Sequence, residues 1–222
     1  MKTHKFILLI LPIILLGSCA KKSSIRITTN TFANKEVIPH GFEPGASFSV
    51  ETTQKGNPLF TKEVSQKIAT LLKSNGFETK TGRNINYNLK FSFGMKQSTH
   101  TRDVPVFIPD YGHWYYDSFY GYGYSHGYNY TVAYVPEEYT LFNKILLIEV
   151  YKKGDKETPI WQGTAHSYQE TSDLRNSIDY LLVTVLKHFG KNTQRYIKSK
   201  MKNNDPEVEK LRQEYFRPIG II

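Results

Sequence analysis

From Ile85 to Met95 the chain reads INYNLKFSFGM, with Ile85, Tyr87, Leu89, Phe91 and Phe93 on one side and Asn86, Asn88, Lys90 and Ser92 on the other. Strict alternation is the period of a strand, with one face on a core and one toward water. No helix sorts these residues. A second run, about Glu138 to Lys152, sets Ile145, Leu147, Glu149 and Tyr151 against Lys144, Leu146, Ile148 and Val150. It is apolar on both faces from Leu146 to Ile148, as a central strand would be. These two segments commit the chain to a sheet with at least one covered face.

The helices that cover it are read from spacing and caps. Asn57-Pro58 opens a helix, with Asn57 as N-cap and Pro58 at its first position. Leu59, Val64, Ile68, Leu71 and Leu72 recur at helical spacing, and Gly76-Phe77 closes it. A second helix starts at Ser172-Asp173 and places Ile178, Leu181, Leu182, Val185 and Phe189 on one face. Shorter strands are expected at Ser24–Thr29 and Ala46–Thr52, with a loop over 30–45. Lys153-Gly154-Asp155-Lys156 makes a turn, and Pro159 to Gln169 returns as hairpin partner. Lys187, Lys191, Arg195, Lys198 and Lys202 form a basic stripe at roughly helical spacing, and Pro206 opens a further short helix through about Tyr215. The expected architecture is α+β: a mostly antiparallel sheet with two main helices packed on one face, a long Tyr/Gly-rich insert and a C-terminal helical tail.

The amino terminus sets the compartment. Lys2 and Lys5 precede an apolar run, Phe6 to Leu16, that is too short to cross a bilayer and fits a secretory signal. Leu16-Gly17-Ser18-Cys19 follows and resembles the bacterial lipobox. That resemblance implies a diacylglyceryl group on the Cys19 thiol and cleavage that leaves Cys19 first. The chain has one cysteine, and it stands where the lipobox needs it. Ala20 after the Cys resembles signals for the outer membrane, facing the periplasm. The expected organisation is therefore residues 1–18 as lipoprotein signal peptide, 19–23 as lipidated Cys and tether, 24–190 as an α+β domain with an insert at about 104–128, and 191–222 as a basic helical extension. Loss of residues 1–18 takes the formal charge from +9 to +7 by removing Lys2 and Lys5. A basic exported protein points to anionic lipid, lipopolysaccharide or acidic wall polymer, not nucleic acid.

The insert is the most unusual segment. Asp110 to Tyr130 reads DYGHWYYDSFYGYGYSHGYNY and holds eight of the 16 tyrosines. Glycine permits close turns, and tyrosine pairs a flat face with a polar edge. Such residues stack on sugars, on other aromatics, or lie at a headgroup interface. Tyr111, Trp114, Tyr115, Tyr120, Tyr122 and Tyr124 are the candidate binding residues; the alternative is a flexible or self-packed surface insert. Asp110, His113, Asp117 and His126 match no metal-site spacing, so no metal and no cofactor are expected. His100 and His166 lie at or beside strands and are read as exposed or hydrogen-bonded. No G-x-S-x-G, Walker or H-E-x-x-H motif occurs, and one Cys excludes a Cys-x-x-Cys pair.

Ala46-Ser47-Phe48-Ser49-Val50, the helix ending Leu71 to Phe77, the strand Asn88-Leu89-Lys90-Phe91, the Gly/Tyr-rich stretch, Ile145 to Val150 and Ile160-Trp161-Gln162-Gly163-Thr164-Ala165 together resemble the bacterial lipoprotein family of the domain of unknown function 4136. The resemblance covers roughly Ser24 to Gly190. Where that family carries an acidic stretch before its third strand, this chain has Arg83-Asn84-Ile85-Asn86-Tyr87-Asn88. The resemblance implies a location and a fold, with no catalytic residues. The expectation is a non-enzymatic, lipid-anchored envelope protein for binding or assembly, held to the membrane through acylated Cys19, with peptidoglycan, lipopolysaccharide or an envelope protein as candidate partner. The alternative is a cell-wall or lipopolysaccharide glycan-binding module using the insert, and the third reading an envelope hydrolase with an unrecognised site.

Overall fold

A computed structural model describes residues 24–53, 56–82, 84–110, 129–155 and 157–216. In chain order the elements are β1 (Ser24–Ala33), β2 (Ser47–Thr52), α1 (Pro58–Ser74), β3 (Glu78–Thr79), β4 (Tyr87–Asp110), β5 (Asn129–Lys152), β6 (Trp161–Gln169), α2 (Leu174–Leu186), β7 (Ile197–Lys202) and α3 (Pro206–Phe216). The strands form one sheet in the order β3-β2-β4-β5-β6-β1-β7.

The expectation of a mostly antiparallel sheet under two helices is corrected. The sheet is mixed: β2 pairs parallel with both β3 and β4, while β4–β5, β5–β6, β6–β1 and β1–β7 are antiparallel. The cause is α1, which lies between β2 and β4 in the chain. A helical crossover returns the next strand in the same direction, which a short turn does not do. Three helices are present, with α3 against both α1 and α2.

The helix ends follow the sequence closely. Asn57 Oδ1 accepts from the N–H groups of Leu59 and Phe60, and Pro58 fills the first position. At the other end Gly76 has φ +83°, its N–H reaches the Lys73 carbonyl, and the Phe77 N–H reaches Leu72. That is a Schellman closure, for which a residue without Cβ is favoured. Asp173 caps α2 by accepting from the Asn176 N–H. The single apolar face expected for this helix understates its burial: every residue from Ser177 to Leu186 is buried. It lies against β1, β5 and β6 on one side, with α1 and α3 beside it.

The covered sheet face carries Phe48, Leu89, Phe91, Leu146, Ile148, Trp161 and Ala165, all essentially without solvent access. Trp161-x-Gly163-x-Ala165 is a packing device, as its composition suggests. A Cβ on Gly163 would stand 2.5 Å from the Trp161 ring and 2.9 Å from Val185, so only glycine lets the indole lie across the strand beneath α2. The indole N–H donates to the Lys191 carbonyl at 3.0 Å. Phe42, Phe48 and Phe189 close the same end, with ring centroids about 5 Å apart.

Three further expectations change. β1 continues to Ala33, so the loop begins four residues later than expected, and Ile27 to Ala33 pair with Ser167 to Trp161. The loop expected from about Val104 is strand as far as Asp110, paired with Asn129. The basic stripe is not one helix: residues 197–202 form β7 on the edge of the sheet. Ile197, Ser199 and Met201 face inward while Lys198, Lys200 and Lys202 face water. Lysines on an edge strand discourage pairing with another chain.

Candidate functional site

The structure separates a packed body from an arm. β2 accompanies β4 as far as Thr52 opposite Phe91, and β6 accompanies β5 as far as Gln169 opposite Phe142. Beyond the pair Gln97–Phe142, β4 and β5 continue with only each other as strand partners, from Ser98–Leu141 to Asp110–Asn129, with Arg102 also 3.8 Å from Glu170 of the body. At about 3.3 Å per residue this two-stranded ribbon reaches roughly 40 Å past the body. In the chain, residues 111–128 join its two strands. The candidate binding residues Tyr111, Trp114, Tyr115, Tyr120, Tyr122 and Tyr124 lie outside the described residues. So do Leu16, Gly17, Ser18 and Cys19, and His113, Asp117 and His126.

The arm has two halves of different chemistry. Near the body it is polar: Arg102 Nε donates to Glu137 Oε2 at 3.0 Å from the opposite strand, and its guanidinium lies over the Tyr139 ring at 5.1 Å. The Glu137 contacts hold Arg102 above the usual guanidinium range. Ser98 Oγ and His100 Nε2 are 2.9 Å apart on the exposed ribbon, so this histidine is hydrogen-bonded, as the sequence reading has it. Further out the arm is apolar. Phe107 and Tyr134 are each about two-thirds exposed, and Val106, Ile108, Val132 and Val135 are also exposed.

Two clusters of buried polar groups lie in the body, and both are satisfied. Lys67 Nζ, on α1, donates to Glu63 Oε1 at 2.7 Å and to Asp179 Oδ1 of α2 at 2.6 Å. Arg175 holds the other Glu63 oxygen at 2.6 Å, and Arg212 of α3 holds Asp179 Oδ2 at 2.9 Å. Burial alone would raise the Glu63 carboxyl, but the hydrogen bonds from Arg175 and Lys67 outweigh it and leave it below the usual carboxylate range. This network ties the three helices together.

Lys144 is the second. It is wholly buried, and its Nζ donates to Gln169 Oε1, the Asp173 carbonyl and Ser177 Oγ at 3.0, 2.7 and 2.8 Å. Three donors meet three acceptors, which fastens the start of α2 to β5. Desolvation depresses its pKa, opposed by the Asp173 charge. The signal for it was present in the sequence: Lys144 shares a strand face with Leu146, Ile148 and Val150. His166 lies on the opposite, uncovered face of β6, half-buried, and desolvation lowers its pKa.

An open cleft of about 680 Å³ lies between the first half of α1 and the β2–β4 edge, lined by Val50, Thr52, Pro58, Thr61, Gln66 and Phe91. Lys62 is its one cation among the lining residues. Among the described residues no three His, Cys, Asp or Glu side chains gather as metal ligands, and no helix is long and apolar enough to cross a membrane.

Comparison with known proteins gives a family and a set of distant folds. A family model described as Domain of unknown function (DUF4136) matches residues 29–189. No curated protein matches the chain. Among solved structures, a PelC dodecamer from Paraburkholderia phytofirmans is similar at 11% identity and TM-score 0.40, over 75% of this chain and 99% of that one. A PDZ domain protein from Parabacteroides distasonis is similar at 10% identity and TM-score 0.45, over 81% of this chain and 39% of that one. The family match spans most of the chain, which therefore belongs to the DUF4136 family.

Proposed function

We propose that this member of the DUF4136 family is a lipid-anchored bacterial envelope protein that acts by binding or assembly and not by catalysis. The observation that carries the reading is Cys19: the chain's single cysteine follows Leu16-Gly17-Ser18 and a short apolar run. The first described strand, β1, starts at Ser24, so four residues separate it from Cys19, a length that suits a tether. Each buried methylene of an acyl chain contributes about 0.8 kcal/mol, and stable attachment takes two or more chains. Diacylglyceryl with a further N-acyl group on Cys19 meets that need. Ala20 at the next position favours the outer membrane, with the domain in the periplasm. The formal charge of +7 after cleavage suits a surface of anionic lipid or wall polymer.

The test is fractionation of a bacterial host expressing the wild type beside Cys19→Ala. The wild type is expected with the outer membrane and the variant in the soluble fraction. A wild type recovered soluble would overturn the anchor.

A second reading is favoured by the arm. A ribbon whose two strands are joined in the chain by the segment that includes Tyr111, Trp114, Tyr115, Tyr120, Tyr122 and Tyr124 suits recognition of peptidoglycan or lipopolysaccharide glycan by aromatic stacking. Sedimentation with purified cell wall tests it: binding that survives Trp114→Ala with Tyr120→Ala would rule this use of the insert out.

A further inference from the structure

The sheet register fixes where the tether leaves the body relative to the arm. Ile27 is level with Ser167, Ser167 with Lys144, and Lys144 with Met95. Followed back from Ile27, β1 runs toward the arm, so Ser24 is level with about Ser98, where the free ribbon begins. The tether and the arm therefore leave from the same end of the sheet.

Their lengths differ. Five residue steps from Ser24 to Cys19 span at most about 17 Å when fully extended. The arm spans roughly 40 Å from the same level. If acylated Cys19 sits in a bilayer and that end of the sheet faces it, the arm is long enough to reach the bilayer. The chemistry of the arm changes at the matching distance. Its polar half, Ser98 to Asp103 with Glu137 and Glu138 across from it, covers about 20 Å. The apolar half begins at half-buried Val104, opposite exposed Val135, and is exposed through Ile108.

We propose that the outer half of the β4–β5 arm is a second membrane contact, with Val104 to Ile108 and Val132 to Val135 embedded in the interfacial layer of the bilayer that holds Cys19. The inference rests on the lipid-anchor reading of Cys19. Apolar side chains on both faces of the ribbon, Val106 on one and Phe107 on the other, leave neither face suited to water. The apolar stretch is too short to span hydrocarbon, and a two-stranded ribbon keeps unpaired outer edges that water must satisfy. The headgroup boundary meets both conditions. Pairing with the ribbon of another copy is disfavoured, because Pro105, Pro109 and Pro136 have no N–H to offer a third strand.

The experiment uses the acylated protein, purified in detergent and reconstituted into vesicles of phosphatidylethanolamine and phosphatidylglycerol. Acylated Cys19 has no free thiol, so a single introduced cysteine takes an environment-sensitive fluorophore uniquely. Val106→Cys and Phe107→Cys report the two outer faces, and Ser98→Cys the polar base. Intact mass first establishes acylation in every sample. Blue-shifted emission at positions 106 and 107, quenched by nitroxide-labelled lipid, with water-like emission at 98, is the expected result. Phe107→Glu in the Val106→Cys background should reduce the shift. Acylated protein with water-like emission at both outer positions overturns the arm contact and leaves the anchor standing. Absence of acylation overturns the anchor, and this inference with it. A blue shift that lipid nitroxides do not quench, and that grows with protein density, means the arms bury against one another, which also overturns it.

Discussion

Lys67 Nζ and Asp179 Oδ1 are 2.6 Å apart with both side chains almost entirely buried, which joins α1 to α2 by a charge pair inside the helical layer. Each member has a second partner of opposite charge: Glu63 for Lys67 and Arg212 for Asp179. The pair therefore breaks unequally from its two sides. Asp179→Ala removes the carboxylate shared by Lys67 and Arg212, leaves Lys67 and Arg175 to share Glu63 and Arg212 to Glu209 and Asn176, and should cost about 3 kcal/mol. Lys67→Met leaves Glu63 with Arg175 and Asp179 with Arg212, and should cost clearly less. Urea midpoints of the two variants check the order.

Gly163 and Trp161 give a steric prediction. Gly163→Ala puts a methyl into the indole and into Val185, and should destabilise the protein by about 1–3 kcal/mol. In a Trp161→Leu background the clash with the indole is gone and only the 2.9 Å approach to Val185 remains, so the same change should cost less. Thermal unfolding of the four proteins in the cycle gives the coupling.

Acid should weaken the fold in two stages. Desolvation lowers the pKa of His166, and desolvation with the charges of Lys191 and Lys187 lowers that of His188, both from 6.5. The unfolded chain then binds protons that the folded chain resists, so this contribution is complete above 6.5 and falls as pH drops below it. Glu63, held below its ordinary 4.5, adds a further loss as pH falls below that value. Urea midpoints should decline from about pH 7 to about pH 5, and His188→Gln should flatten that first decline.

The arm should be dispensable for folding. Ser98 and Leu141 are directly opposed, so Asn-Gly in place of residues 99–140 closes a two-residue hairpin. None of the described side chains removed is buried, and the body's stability should change by less than about 1 kcal/mol. A larger loss in thermal unfolding would mean the ribbon supports the body.

What was legible in the sequence was what local chemistry decides. Asn57-Pro58, Gly76-Phe77 and Asp173 mark helix ends by hydrogen-bonding rules that act within a few residues. Gly163 beside Trp161 and Ala165 announces a large ring needing space. The direction of β2 was not legible, because a strand carries no local mark of its neighbour's polarity. β7 was misread because Lys187, Lys191, Arg195, Lys198 and Lys202 also fit a helical period, while the decisive alternation of Ile197, Ser199 and Met201 spans only six residues. The β4 side of the arm, Val104 to Asp110, reads as loop because Pro105 and Pro109 are loop punctuation, and the ribbon's strands are held by each other with no core to impose a pattern. The candidate binding residues of the insert and the residues around Cys19 were legible as composition and motif alone.

The most direct test of the account is the intact mass of the protein purified from bacterial membranes, wild type beside Cys19→Ala. The wild-type chain should begin at Cys19 and carry the added mass of diacylglyceryl, with or without a further acyl chain, and the variant should carry none. A wild type of unmodified peptide mass, or one cleaved at another residue, would contradict it.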